Sequence, residues 1–274
     1  MSTIVPKIKY LTNKDLLAAI HESKLTFCEF EHPSYANYDI IVHSLDSVSL
    51  EVLEAARQKR LSDLQAEEKR ESRSKVFESK LSIEEIPLES IVVRLMTFDH
   101  IPINPAKVDR AKTEAERHIR CQFPPFQHYI WKNNSWHCVG RSHWKNGEFS
   151  LHHGRVTNRL GAMWMKLVER YGHRGNWRGY TYLDEMRAQA LVQLSQVGLQ
   201  FDESKSSNPF AYYTQCVSTS FLKILTNEKK SQTIRDDLLI MHGATPSHTR
   251  QVEDQMAQQQ QQMLAESTTG PIAP

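Results

Sequence analysis

The chain has 274 residues, 39% of them hydrophobic, enough to bury a sizeable core in one large domain or two small ones. No apolar run approaches the roughly 18 residues of a membrane span, and the opening MSTIVPKIKY lacks the basic-then-apolar layout of a secretory signal, so a cytosolic protein is expected. A net charge of +2 is too balanced to mark a nucleic-acid binder from bulk composition, and Cys28, Cys121, Cys138 and Cys216 form no CxxC pair, which predicts reduced thiols.

Glycine splits the chain: residues 1–139 contain none, and all ten lie between Gly140 and Gly270. In the first part Tyr38-Asp-Ile-Ile-Val42 reads as a short strand. Ser49 is placed to cap a charged, solvated helix running to about Lys80. Ile86 to Met96 is a β-branched stretch and Ala106 to Arg120 a helical one, which makes residues 1–120 an α/β region of unassigned role. Residues 121–154 turn aromatic. His128-Tyr-Ile-Trp131 and Trp136-His-Cys-Val139 flank Asn133-Asn134, a pair that tolerates positive φ, so a β-hairpin is predicted.

From Asn158 the pattern becomes helical. Leu160, Met163, Trp164, Leu167, Val168 and Tyr171 fall on one face, and Gly172 is placed to end the helix. A second helix is predicted over about Leu183–Leu199, with Leu183, Met186, Ala190, Leu191, Leu194 and Val197 as its buried stripe. Asn208-Pro209 supplies an N-cap and a first-turn proline for a third. There Phe210, Tyr213, Val217, Phe221 and Leu225 share a face, with Phe210 and Phe221 expected in the core and Tyr213 divided between core and surface. Residues 251–274, with Gln258 to Gln262 in tandem, read as a low-complexity tail. The fold class expected is α+β, mainly helical from 155 to 250.

Cys121, His128, His137, Cys138, His143, His152 and His153 crowd about thirty residues and could ligate zinc in a metal-dependent nuclease. The spacing argues against it, because no CxxC knuckle or HxxxH pair is present and neighbours in a strand point to opposite faces. Phosphate-loop, nucleophile-elbow and dinucleotide motifs are also missing. Gly172 to Gly179 joins two helices without the lysine of a phosphate cradle, although its Arg174 and Arg178 suit phosphate contacts. No catalytic residue, metal or cofactor is expected.

The stretch Tyr180 to Arg235 carries a likeness in Tyr182-Leu-Asp-Glu-Met186, Phe201-Asp-Glu-Ser-Lys205, Asn208-Pro-Phe-Ala-Tyr-Tyr213 and Glu228-Lys-Lys230. It resembles region 2 of the sigma-70 family, and more closely the late-transcription sigma factors of T4-like phages, including those of marine cyanophages. The phage likeness extends from about Val139 to Gln251.

The resemblance implies a non-enzymatic subunit in the host cytoplasm that attaches to host core RNA polymerase and opens a TATA-like late promoter. Asp184, Glu185, Arg187, Gln189, Gln193 and Gln196 would meet the clamp helices of the polymerase largest subunit. Tyr212 and Tyr213, with Lys223, Lys229, Lys230 and Arg235, would hold unpaired promoter DNA, since bare bases need aromatic faces and cations. Two departures stand out. Housekeeping factors place tandem tryptophans where this chain has Cys216 and Val217, and the segment Asp236 to Arg250 is too short for a helix-turn-helix reader. A phage coactivator and the sliding clamp are further partners the resemblance suggests, although the clamp-binding terminus of that group is replaced here by Met263-Leu-Ala-Glu266 and a neutral tail. A polymerase-binding regulator that reads no DNA is the remaining alternative.

Overall fold

The computed structural model describes residues 11–71 and 81–268. The chain is α+β. Helix α1 (Asn13–Leu25) starts at Thr12, whose hydroxyl accepts the Asp15 N–H at 3.1 Å, and leads into strand β1 (Cys28–Phe30). Strand β2 (Ile40–Val42) is followed by helix α2 (Leu50–Glu71) and strand β3 (Val92–Met96). Ser49 caps α2 through the Val52 N–H, as its position predicted; the expected run to Lys80 lies outside the described residues beyond Glu71. β2 and β3 pair in parallel, which a long α2 crossover permits and a tight turn would not.

Strands β4 (Phe126–Lys132) and β5 (Ser135–Ser142) form the predicted hairpin. Asn133 and Asn134 turn it with φ of 50° and 60°. The hairpin is not a separate region. β4 pairs with β3 and β5 with β1, giving one sheet of order β1-β5-β4-β3-β2, so the expected boundary at 120/121 falls inside a sheet. A two-stranded hairpin is marginal alone, and this one buries residues on both faces. Leu53 and Ala56 of α2 pack on Val93, while the alternate residues Val92 and Arg94 face the other way. A short hairpin, β6 (Trp144–Lys145) with β7 (Glu148–Phe149), follows.

The stretch Ala106–Arg120 is helical only over α3 (Glu114–Arg117). It lacks an apolar stripe, and a helix that short is not stable without one. Helix α4 (Asn158–Gly172) buries all six predicted stripe residues together with Gly172, and Thr157 caps it. Helix α5 (Leu183–Val197) buries Met186, Ala190 and Leu194. Helix α6 (Pro209–Met241) begins as expected, the Asn208 side chain accepting the Ala211 N–H at 3.1 Å.

The predicted tail is instead helical through residue 268, as α7 (His248–Thr268). Glutamine is a good helix former, so a repetitive polar composition does not prevent a helix. The buried Asp236 carboxylate anchors its start, accepting the Ser247 N–H at 2.8 Å and hydroxyl at 2.6 Å. One core joins both halves: Leu16, Ile20 and Phe27 pack in the same cluster as Phe126, Trp164, Met186 and Tyr213. The four cysteines are unpaired, and among the described residues no helix is long and apolar enough to cross a membrane.

Candidate polymerase and nucleic-acid interface

Asp184 and Glu185 occupy the first turn of α5, where carboxylates favour the positive end of the helix dipole. With Met186, Ala190 and Leu194 turned inward, the helical period sends Glu185, Gln189, Val192 and Gln196 outward along one line. Asp184, Glu185 and Gln196 are exposed, and Gln189 and Gln193 half-buried. Arg187 is drawn off this face. It donates to Asp184 at 2.9 Å and packs over Gly172, where a methyl group would meet it. Val192 is 49% exposed at the centre of the polar face, although sequence reading passed over it. Its signal was an apolar residue out of phase with the stripe.

Along α6 the expected DNA residues divide. Tyr213 is wholly buried, its hydroxyl donating to the Gly198 carbonyl at 3.0 Å and its ring edge-on to Trp164. It is therefore a core residue and presents no face to a base. Tyr212 is half-buried, donates to the Val197 carbonyl at 2.8 Å, and has a phenol pushed up to about 12 by burial. Val217 is buried too, so its side chain is turned into the core.

Lys223, Lys229, Lys230 and Arg235 are all exposed. By helical period Lys223 and Lys230 share a side of α6, while Lys229 and Arg235 point elsewhere. Phe210, expected in the core, is instead 41% exposed, because the first turn of α6 sits at the edge of the bundle. Phe210 and Thr214 face α4. There they border a cavity of about 200 Å3 with Leu167 and Tyr171 as its floor and Arg170 and Arg174 beside it. The Arg174 guanidinium lies 4.3 Å from the Tyr171 ring centre. Aromatic and cationic surface thus meet at residues that sequence reading had given to the core or to a linking loop.

No family model, curated protein or solved structure matches the chain.

The loop between α5 and α6 is fixed from outside the bundle. The Glu203 carboxylate accepts from Lys24 of α1 at 2.7 Å and lies 3.9 Å from Arg94 of β3; all three side chains are nearly or fully buried. Lys24 also donates to the Phe201 carbonyl at 2.7 Å. Arg94 is sandwiched between the Tyr38 and Phe126 rings, 3.8 Å from each centre. Its Nε donates to His128 Nε2 at 3.0 Å, and its Nη2 to His21 Nδ1 at 3.2 Å. Both imidazoles must be neutral to accept these bonds. Burial, with Arg94 adjacent, lowers His21 to about 4 and His128 to about 3.

The candidate zinc residues are scattered. His128 is committed to Arg94, His143 is buried against Phe123, and exposed His137 bonds Ser135 at 2.9 Å. Cys138 is its strand neighbour, His152 is exposed, and His153 lies near Phe27. The Cys121 thiol is raised to about 11 by burial and points at the Ile119 carbonyl. Among the described residues, no three His, Cys, Asp or Glu are grouped to hold a metal ion.

Proposed function

We propose that this chain is a sigma-type subunit that attaches to a host core RNA polymerase through α5 and stabilises unpaired promoter DNA beside α6. The α4–α5–α6 bundle serves as the region 2-like module. The carrying observation is the outer face of α5, where exposed Val192 is surrounded by Glu185, Gln189 and Gln196. An apolar centre with a polar rim is the usual form of a binding hot spot. Its acidic first turn suits a basic or amphipathic helical pair on the polymerase.

On the same bundle, Phe210 beside Arg174 offers what an unstacked base needs: one aromatic face, and a cation for an adjoining phosphate. Lys223 and Lys230 lie on the side of α6 turned away from Phe210 and do not extend this surface; Phe210 takes the stacking role first assigned to Tyr213. Without tryptophans at 216 and 217, opening depends on sequences that unstack easily, so a TATA-like element is the expected target.

The test is equilibrium binding of the full chain to purified core polymerase. Glu185→Arg and Val192→Asp should each weaken affinity at least about tenfold while leaving the unfolding midpoint within experimental error, since exposed sites rarely affect stability by more than about 0.5 kcal/mol. Unchanged binding in both variants would remove α5 as the docking face. The burial of Tyr213 and the spread of the α6 cations favour one second reading, a polymerase-binding regulator that reads no DNA. It would show polymerase binding with no DNA contribution from Phe210 or Arg174.

A further inference from the structure

Helix α1 lies far outside the stretch that carries the sigma likeness, yet it reaches the cavity beside Phe210. Leu11, the residue before the Thr12 cap, lines that cavity together with Thr214. Two residues later, the Asn13 side-chain oxygen accepts the Phe210 backbone N–H at 3.2 Å. The first turn of α6 is thereby held from two directions, by Asn208 within the module and by Asn13 outside it. At about 200 Å3 the cavity is smaller than the ~300 Å3 at which drug-sized ligand sites begin, so it admits one ring system and not a whole nucleotide. Thr214 also lines the cavity and brings a hydroxyl to it.

We propose that Leu11 and Asn13 are part of the base site: Leu11 closes the cavity and sets the size of base it takes, and Asn13 is a positioning residue that holds Phe210 in register. The N-terminal half is then a component of the DNA-reading surface and not only a support. This rests on the reading of the Phe210 cavity as a base site.

The experiment compares the full chain on a fluorescent twelve-nucleotide AT-rich single strand and on a strand of equal length and charge made only of abasic units. The ratio of the two dissociation constants isolates base-dependent binding, because phosphate contacts cancel. The expected ratio for the parent chain is about tenfold or more, the scale of one stacked base. Leu11→Trp should lower the ratio about fivefold or more by filling the cavity, with affinity for the abasic strand within about twofold. Asn13→Ala should lower it as well, and Asn13→Asp, which keeps the acceptor oxygen, should restore it.

If Phe210→Ala abolishes the ratio while Leu11→Trp and Asn13→Ala leave it intact, the role of α1 is overturned and the base site stands. A ratio near one in the parent chain overturns the base site and this inference together.

Discussion

Glu203 sits between two buried cations, and that arrangement sets the first prediction at the scale of single residues. Its side chain is 6% exposed, and Lys24 and Arg94 are 2% and 0%. Glu203→Gln would leave two positive charges facing each other without solvent, so it should cost about 3–5 kcal/mol of stability, read from urea unfolding. Replacing Lys24 and Glu203 together by Met and Leu should recover only part of that loss, because it removes one of the two facing cations but still leaves buried Arg94 without its carboxylate. The neighbouring imidazoles make stability depend on pH. Unfolded histidines titrate near 6.5, whereas His21 and His128 stay neutral in the fold until about 4 and 3. The unfolded chain therefore binds more protons below pH 6.5. Stability should be complete above pH 6.5 and fall as pH drops toward 4, by roughly 1.4 kcal/mol per unit for each histidine. Unfolding midpoints equal at pH 7 and pH 5 would contradict this. None of these partners is adjacent in sequence: positions 24, 94 and 203 come from a helix, a strand and a loop, and charged residues read singly are expected on the surface.

At the scale of elements, legibility followed amphipathic period and turn chemistry. The α4 stripe, the Asn133-Asn134 turn and the Asn208-Pro209 start are each specified by a few neighbouring residues, and each lies where the pattern put it. α1 was not recognised, because the face begun by Leu16, Ala19 and Ile20 is continued by Ser23 and Lys24, polar residues that are nonetheless buried. Phe210 and Tyr213 share a helical face, but a stripe does not reveal where a neighbouring helix stops, and the first turn of α6 emerges at the bundle edge. Close packing between elements gives a further test. The Gly198 Cα faces the Trp164 ring so closely that an added methyl group would overlap it, while the Gly198 carbonyl takes the Tyr213 hydroxyl. Gly198→Ala should thus destabilise by about 1–3 kcal/mol, measured by thermal or urea unfolding. An unchanged midpoint would mean that α4 and the end of α5 are less tightly joined than described.

Considered as a whole, the molecule does not divide where composition suggested. The glycine boundary near residue 140 lies within β5, and the helical half shares its core with Leu16, Ile20, Phe27, Phe123 and Phe126. Packing, which sequence composition does not record, decides the unit of folding. A fragment of residues 151–274 should accordingly lack a cooperative unfolding transition and show broad, poorly dispersed NMR signals; sharp cooperative melting would contradict the single core. The same continuity puts the α5 face, the Phe210 cavity and Leu11 at the start of the chain's first helix on one body, which is what the proposed sigma-type role requires. The most direct test of that central claim is run-off transcription with purified host core polymerase and the full chain, on phage DNA and on a template whose TATA-like elements are replaced. Specific starts that depend on the element, and that are lost with Glu185→Arg and weakened with Phe210→Ala, are the predicted result. Polymerase binding with no specific starts from either template would contradict it.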